Sequence, residues 1–527
     1  MNTYSKFSTR KTPQSKPIPG SSQVKNNAGG FAWEIDNWSR LDRFLILGSE
    51  GGTYYVKEQE LTERNANSVI ECIKEDGVRV VNRVVDVSEQ GRAPKNDPAL
   101  FVLAMCACLG NVDTRKHALN MLPRVARIGT HLFHFLAYVE NFRGWGRALR
   151  NGVSAWYNDK GIDQLAYQVV KYQQRDGWSH RDALRKAHPI AQDNLHNNLY
   201  NWITQGEVNA ELPKIVSGVL AIGKVETAKQ AVEMIEYYNL PREVIPTGFL
   251  NDVGVWDALL QKMPMTAMIR NLAKMTAIGL LKDWNSQTQM IVDRLNNQEY
   301  LQKSRIHPLS VLVALNTYIR GEGVRGSLTW EPITEIVNAL DKAFYLSFGN
   351  VQPTNKRTML ALDVSGSMTW NDIAGMTGVT PAVGSAAMAL ITANVEPKHM
   401  FFGFGTSFQK LTISPRQRLD DVVGYVRNIR MGGTDCSLPM LYALQKSVDV
   451  DTFIIYTDNE TWAGRMHPSQ ALQQYRQQSG INAKLVVVGM TSGGFSIADP
   501  NDAGMMDVVG FDTATPNILT AFAKGEI

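Results

Sequence analysis

Three side chains with oxygen donors, Asp363, Ser365 and Ser367, are spaced two residues apart directly after a short apolar run, residues 359–362. The run predicts a buried β-strand, and ligands of α/β folds gather at the carboxyl ends of strands. One carboxylate and two hydroxyls at this spacing can face a single point from a tight loop. Because they offer only oxygen, they suit a hard divalent cation. Mg²⁺ is expected, with Mn²⁺ or Ca²⁺ as alternatives.

Two further loops carry oxygen ligands at related positions. Thr434 lies in a glycine-rich loop just before a predicted helix, and Asp458 follows the predicted strand 453–456. The set has no nucleophile paired with a base, so it does not predict hydrolysis. The cation could bind an acidic ligand of a partner or only brace the sheet. In order and context, five residues resemble the metal-ion-dependent adhesion site of von Willebrand factor A domains: Asp363, Ser365, Ser367, Thr434 and Asp458.

The segments around these loops predict the sheet that positions them. Strand-length apolar runs are followed by helical segments throughout residues 351–527, which we assign to one domain. This alternation predicts a parallel, doubly wound α/β sheet of the Rossmann-like type. The predicted strands are 359–362, 401–404, 453–456 and 485–488. The predicted helices are 382–395, 419–429, 438–448 and 470–478.

The earlier part of the chain, residues 26–350, has a different pattern. Apolar residues recur at three- and four-residue spacing, and short breaks with Gly, Pro or Asn separate helix-length segments. HEAT-type helix pairs have a weak consensus, so they agree with the lack of a strict repeat. The string 321–326 matches G-x-G-x-x-G, but it follows a predicted helix, so we interpret it as a helix-ending loop. The polar residues 1–25 predict a disordered basic tail.

Composition restricts the cellular setting. No apolar run is long enough to span a membrane, and four cysteines in 527 residues fit a reducing compartment, so we expect a cytoplasmic protein. Cys106 and Cys108 lie in an apolar run without partners at zinc spacing, so we interpret them as core residues.

Basic charge is concentrated in residues 111–190, which hold 13 Lys and Arg, 6 Asp and Glu, and five of the nine histidines. Basic residues interleaved with aromatic ones predict a nucleic-acid surface, although a solvated helical face would look the same. We interpret Trp145 and Trp178 as packing anchors rather than base-stacking platforms. The candidates assigned mainly by charge are Arg115, Lys116, His117, Arg124, Arg127, Arg143, Arg147, Arg181 and Arg185.

Longer strings resemble the TROVE module of the Ro autoantigen family. They cover about residues 28–527 and include 48–55, 129–135, 143–147, 171–180, 240–247 and the metal motif, in that order. The resemblance implies HEAT-like helices in a ring closed by the A domain. It also implies small Y RNAs on the outer surface and single-stranded 3′ ends of misfolded or precursor RNAs in the central hole. RNA quality control, stress survival and a 3′ exoribonuclease partner of the polynucleotide phosphorylase type are further implications.

By motif match, Lys171, Arg175 and His188 fall where the family contacts RNA on the outer ring. Lys and Arg neutralise phosphates, and His adds a donor or a stacking plane. Asp176 places a negative charge inside this motif, and His188 could have an N-cap or core role beside Pro189 instead. We predict a monomeric RNA-binding protein that is not an enzyme. The alternatives are a metal-dependent adhesion module that recruits a partner such as a nuclease, and a metal-dependent nuclease.

Overall fold

The computed structural model describes residues 11–526, except 51, 209–210, 324–325, 350, 374–375, 430 and 513. The first part of the chain is a succession of helices, most of which pack against their neighbours in sequence. They are α1 (Asn37–Leu47), α2 (Glu58–Glu89), α3 (Asp97–Leu109), α4 (Val112–Val125), α5 (Gly129–Phe142), α6 (Arg147–Asn158), α7 (Ile162–Lys171), α8 (His180–Ala187), α9 (Asn194–Gln205), α10 (Lys214–Ile222), α11 (Ala228–Tyr238), α12 (Val253–Gln261), α13 (Met265–Ala277), α14 (Ser286–Asn296), α15 (Gln298–Ser304), α16 (Pro308–Arg320) and α17 (Thr334–Leu346).

Local sequence explains where these helices begin and end. The Asn111 side chain accepts a hydrogen bond from the Thr114 N–H at 2.9 Å and so caps α4. Ser179 and Asp182 form a capping box at the start of α8. Gly321 ends α16 with a left-handed φ of +73°, which agrees with the interpretation of this glycine motif as a helix-ending loop. Two of the motif's positions, 324 and 325, lie outside the described residues.

The second part of the chain is an α/β unit. Its elements are β5 (Thr358–Asp363), α18 (Gly366–Trp370), α19 (Pro381–Val395), β6 (His399–Phe404), β7 (Phe408–Lys410), α20 (Leu419–Arg427), α21 (Leu438–Gln445), β8 (Thr452–Thr457), α22 (Pro468–Ser479), β9 (Lys484–Gly489), β10 (Phe495–Ser496), β11 (Met505–Val509) and α23 (Thr515–Lys524). The sheet order is β11-β9-β8-β5-β6-β7, parallel except for β7. β5 and β8 are buried on both faces, as their uninterrupted apolar sequences predict. The four predicted strands are all present, while β7 and β11 were not predicted.

The helical array closes on itself through the α/β unit. At its start, Arg43 of α1 binds Asp507 of β11, and Arg92 forms an ion pair at 3.2 Å with Asp512. At its end, the Asp341 carboxylate of α17 accepts a hydrogen bond from the Leu419 N–H at 2.9 Å. The two ends also meet directly: His307 Nε2 lies 3.3 Å from the Arg92 carbonyl oxygen. The predicted fold class, a HEAT-like ring closed by a von Willebrand factor A domain, is confirmed.

The N-terminal segment differs from the prediction. Residues 11–25 are not a disordered tail: Gln14 and Ile18 are buried, and β1 (Val24–Lys25) pairs with β2 (Phe31–Glu34), which pairs with β10 of the A domain. Residues 1–10 lie outside the described residues. The polar composition wrongly predicted a disordered tail, because buried side-chain hydrogen bonds, rather than an apolar run, hold this segment in place. The Gln14 amide nitrogen donates to Asp435 Oδ1 and to the Met466 carbonyl oxygen, each at 2.8 Å.

Within the described ranges, no helix is both long and apolar enough to cross a membrane.

Candidate metal centre and nucleic-acid interface

The metal-site prediction concerns the loops that follow β5 and β8 and a third loop, before α21, that carries Thr434. Asp363 is the last residue of β5, and its Oδ1 accepts a hydrogen bond from the Ser365 N–H at 3.0 Å. Its Oδ2 accepts from Thr457 Oγ1 at 2.7 Å, which fixes the carboxylate between the two central strands. Ser365 Oγ and Ser367 Oγ lie 3.2 Å apart. All five predicted ligands are buried: Asp363, Ser365, Ser367, Thr434 and Asp458.

The electrostatics of this site favour a cation. Burial, together with the nearby Asp458 carboxylate, raises the pKa of Asp363 to about 7, and burial also raises the pKa of Asp458. Two buried carboxyl groups without a positive partner are costly when ionised. Thr434 Oγ1 is buried and has no hydrogen-bond partner among the residues that the structure describes, so one oxygen that could bind a cation is unused there. The donor set therefore fits a hard divalent ion.

Hydroxyl groups are essential to this assignment. Across the part of the chain that the structure describes, no three His, Cys, Asp or Glu side chains group as a metal site. The loop that carries Thr434 is held close to its neighbours, because a Cβ added at Gly433 would lie 2.3 Å from the Trp462 ring. A cation here would rely on two carboxylates, three hydroxyls and water, which is the chemistry that Mg²⁺ accepts.

The helical ring also contributes side chains next to this site. Tyr55, in the loop between α1 and α2, hydrogen-bonds Ser367, and burial and Asp458 raise the pKa of its phenol. Tyr54 packs edge-to-face on Trp370, with ring centroids 5.9 Å apart, and both rings are exposed. These aromatic contacts were not predicted. The glycine-rich string 48–55 was the available signal, and its position 51 lies outside the described residues.

Two of the three RNA residues assigned by motif match, Lys171 and Arg175, lie just before or on one hairpin, formed by β3 (Gln174–Arg175) and β4 (Trp178–Ser179), whereas His188 lies at the far end of the following helix α8. Lys171 ends α7, half-buried, with its ammonium 3.2 Å from the Tyr167 hydroxyl. Arg175 is exposed on β3. His188 ends α8 in a left-handed conformation with φ of +50°. The His188 side chain is exposed, so its imidazole is available for contact and is not part of the core.

The negative charge of Asp176 is partly engaged. Its carboxylate binds His134 Nδ1 and lies 3.5 Å from Arg175 Nε. The hairpin therefore does not present an unshielded carboxylate beside the candidate RNA residues.

The candidates assigned by charge divide into two groups. Arg115, Lys116, Arg143 and Arg147 line one cavity between α4 and α6. Most of the others already have protein partners: His117 contacts Asn82, Arg124 binds both carboxylate oxygens of Glu89, Arg127 binds Ser88, and Arg185 donates to the Thr204 carbonyl oxygen. Arg181 is exposed. Charge counting could not separate these groups, because it does not show which cations are already paired.

Trp145 and Trp178 pack together, with ring centroids 5.6 Å apart. Trp178 is buried, and the Lys186 ammonium lies 4.9 Å from its ring. This geometry agrees with the interpretation of both tryptophans as packing anchors.

The fold and the site together define a ring of helical repeats that carries an A-type domain with an oxygen-lined candidate metal site. Comparison with protein families is specific: the TROVE domain matches residues 24–214 and 239–318, and the Ro60 vWA domain matches residues 357–523. The chain therefore belongs to the Ro60 family of TROVE-domain proteins, which confirms the resemblance seen in its sequence.

Relatives from two distant organisms support this assignment. The chain is 45% identical over 510 residues to the RNA-binding protein RO60 of Deinococcus radiodurans, covering 96% of each chain. It is 37% identical to the RNA-binding protein RO60 of Caenorhabditis elegans, covering 96% of this chain and 90% of that one. The crystal structure of the Deinococcus radiodurans RO (RSR) protein superposes with a TM-score of 0.71 over 93% of this chain and 100% of that chain.

Proposed function

We propose that this protein binds structured non-coding RNA of the Y RNA type on the outer surface of its ring. It takes single-stranded 3′ ends of misfolded or precursor RNAs into the central hole and acts in RNA quality control and stress survival. The observation that carries this proposal is the group of four cations in residues 111–190 that have no acidic partner within the described ranges: Arg115, Lys116, Arg143 and Arg147. Its relatives' designation as RNA-binding proteins supports it. A cytoplasmic location and a monomeric state belong to the same proposal.

The metal centre has a separate part in the proposal. Asp363, Ser365 and Ser367, with Thr434 and Asp458, would hold one divalent cation, Mg²⁺ in the first instance. A bound cation supplies a Lewis-acidic position for an oxygen ligand. The residues of the chain contribute the buried carboxylates, the hydroxyls and the hydrogen bond from Thr457 that orients Asp363. Among the described residues no nucleophile with a base accompanies them, so the proposed role of the protein is to bind RNA and not to cleave it.

A second candidate function is the recruitment of a protein partner, such as a 3′ exoribonuclease of the polynucleotide phosphorylase type, through an acidic ligand at the metal. One observation favours it. Trp370 and Tyr54, which are 71% and 52% exposed, form an aromatic rim next to Ser367. Exposed aromatic side chains are enriched in protein interfaces, where they combine apolar area with a polar edge. The two functions use different parts of the molecule and are compatible.

The experiment that tests the proposal compares two RNAs with the same stem, one blunt and one with a single-stranded 3′ extension. Wild-type protein should bind both, and the extension should add affinity, because it engages the hole as well as the outer surface. Lys171→Ala with Arg175→Ala should weaken both complexes equally. Arg124→Ala is the matched control, since its charge is already neutralised by Glu89. If neither RNA binds, the proposal is wrong, and RNA that is shortened in Mg²⁺ would establish a nuclease instead.

A further inference from the structure

The N-terminal segment, residues 11–30, crosses the A domain beside the loops of the candidate metal site, and we call it the N-terminal strap. Within these residues, all of which the structure describes, Ile18 is the only apolar side chain that is buried. Polar contacts therefore hold the strap, and its departure would expose little apolar surface. The strap contains no Asp or Glu, so it offers no carboxylate to a cation itself.

Gln14 makes the central contacts of the strap. Its side chain is fully buried, and its amide nitrogen donates a hydrogen bond to Asp435 Oδ1 at 2.8 Å. Its Oε1 accepts from the Gly464 N–H at 3.2 Å and from the Thr461 hydroxyl. Its backbone N–H donates to the Gly464 carbonyl oxygen at 2.9 Å. Gln14 therefore joins the loop before α21 to the loop between β8 and α22.

Both of these loops carry a predicted ligand of the cation. Thr434 lies in the first loop, and its carbonyl oxygen accepts hydrogen bonds at 3.0 Å from the N–H groups of Trp462 and Ala463 in the second. Thr461 Oγ1 lies 3.3 Å from the same oxygen. Asp458 lies at the start of the second loop. The distance between the Thr434 hydroxyl and the Asp458 carboxylate therefore depends on how the two loops are held together, and the strap bridges them.

The strap also holds the acidic residue next to the second of these ligands. Glu460 is buried, and its carboxylate oxygens accept hydrogen bonds from Asn27 Nδ2 at 2.6 Å and from the Ala28 N–H at 3.1 Å. Its own backbone N–H donates to Asp458 Oδ1 at 3.0 Å. A buried carboxylate that loses its donors is costly, so departure of the strap would displace Glu460 and, through its backbone, Asp458.

The strap and the second loop are in very close contact. Asn26 Nδ2 donates a hydrogen bond to the Thr461 carbonyl oxygen at 2.8 Å. A Cβ built at Gly30 would lie 2.0 Å from that oxygen, so the strap reaches this position only with a glycine there. Contacts at both ends of the strap thus converge on the loop that carries Asp458.

We propose that the N-terminal strap sets the affinity of the metal site for its cation, with Gln14 and Asn27 as positioning residues. The inference rests on the proposed function, because it assumes that the five predicted ligands bind one divalent ion. Coupling between two sites is reciprocal: if the bound strap tightens cation binding, the cation tightens the contact of the strap by the same factor. Cleavage of the strap, or its capture by another molecule, would therefore weaken cation binding.

The test measures the binding of Mn²⁺ to the full chain by electron paramagnetic resonance of the free ion. Wild type should bind one ion that Asp363→Asn does not bind. Gln14→Ala should weaken this binding about tenfold, as is typical when a residue that orients a metal ligand is removed. Ser15→Ala, at the exposed neighbouring position, is the matched control and should bind Mn²⁺ as wild type does.

A milder variant keeps the inference testable if Gln14→Ala does not fold. Asn27 is half-buried and its side chain holds Glu460, so Asn27→Ala removes one contact of the strap at little cost to the fold. This variant should also bind Mn²⁺ more weakly than wild type, while the melting temperature of the metal-free protein stays close to that of wild type.

Hydrogen exchange of the strap tests the reciprocal effect. Saturating Mg²⁺ should slow the exchange of the backbone amides of residues 11–30 by up to about tenfold in wild type, and should not change it in Asp363→Asn. A strap that only braces the A domain would exchange at the same rate with and without Mg²⁺, and that result would overturn the inference.

The failure of this inference differs from the failure of the proposed function. If wild type binds Mn²⁺ and both strap variants bind it equally well, the strap inference alone is wrong, even if the variants melt at a lower temperature. If wild type binds no Mn²⁺ that depends on Asp363, the proposed metal site is wrong, and the strap inference is overturned with it.

Discussion

Arg43 donates hydrogen bonds to both carboxylate oxygens of Asp507, each at 2.7 Å, and thereby joins the first helix of the ring to the edge strand β11 of the A domain. The same guanidinium donates to the carbonyl oxygens of Gly493 and Phe495, at 2.7 and 2.8 Å. Its side chain is 1% exposed. One buried cation therefore holds two segments of the A domain, residues 493–495 and β11, against the start of the helical array.

Replacement of Arg43 should destabilise the whole chain. Arg43→Met removes the cation that pairs with Asp507 and the donor to two carbonyl oxygens, so that only the Ser496 hydroxyl still donates to the carboxylate. The loss of one partner of a buried ion pair costs about 3–5 kcal/mol. Asp507 is 22% exposed, so we expect the lower end of this range. The measurement is the free energy of unfolding in urea. Lys303→Met, which breaks the exposed pair with Glu299, is the control and should cost less than about 1 kcal/mol. Equal losses would show that Arg43 does not hold the ring closed.

We expect Asp363→Asn to raise the melting temperature of the metal-free protein and to abolish the stabilisation by Mg²⁺. Asp363→Asn removes one of two buried carboxylates, so metal-free Asp363→Asn should unfold at a higher temperature than metal-free wild type. Mg²⁺ should raise the melting temperature of wild type and leave that of the variant unchanged, because the ion stabilises only a folded state that binds it. Asp421→Asn, which changes an exposed carboxylate on α20 of the same domain, should behave as wild type. A variant that still responds to Mg²⁺ would place the ion elsewhere.

His307 lies where the two ends of the helical array meet. We expect its protonation to lower the free energy of unfolding in acid. Its Nδ1 accepts a hydrogen bond from the Leu309 N–H at 3.1 Å, so Nε2 carries the proton and faces the Arg92 carbonyl oxygen. Burial lowers the pKa of His307 to about 4 in the folded protein. In the unfolded chain the pKa of this histidine has its ordinary value of about 6.5, so the unfolded chain takes up the proton at a higher pH. The contribution of the neutral His307 side chain to the free energy of unfolding is fully present above pH 6.5 and is lost as the pH falls towards 4.

The measurement for this prediction is the free energy of unfolding between pH 7 and pH 4 for wild type and His307→Asn. An asparagine keeps a helix-capping acceptor but does not titrate. Wild type should lose about 1.4 kcal/mol more per pH unit than the variant within that window, since one proton separates the two slopes. Parallel curves would show that His307 is not the titrating group.

The sheet and the metal loops could be predicted from sequence because their signals are local. The strand 359–362 is uninterruptedly apolar, and Asp363 follows it directly, so residue type and position agree. β7 and β11 were missed for a physical reason: Phe408–Lys410 is a short, largely exposed edge strand, and Met505–Val509 is interrupted by Asp507, whose charge serves Arg43. Because Asp507 is needed as a partner for the distant Arg43, it interrupts the apolar pattern by which a strand is recognised in a sequence.

The basic surface was predictable only as a region. Arg115 and Arg124 are equivalent in a count of charge, yet one lines a cavity without a partner and the other is neutralised by Glu89. The pairing is between residues 35 apart on different helices, so helix packing decides it rather than local sequence. The N-terminal segment was mispredicted for the same reason, because the partners of Gln14 lie more than 400 residues away.

The measurement that tests RNA binding most directly is a salt titration of one small structured RNA. We compare wild type with the triple variant Lys171→Ala, Arg175→Ala and His188→Ser. With about 6–10 phosphate contacts, the wild-type affinity should fall by about 10³–10⁵ between 50 and 200 mM salt, and the slope should be about two units flatter in the variant. A wild-type affinity that does not change with salt would contradict the proposed RNA binding, because contacts of Lys and Arg with phosphate weaken as the salt concentration rises.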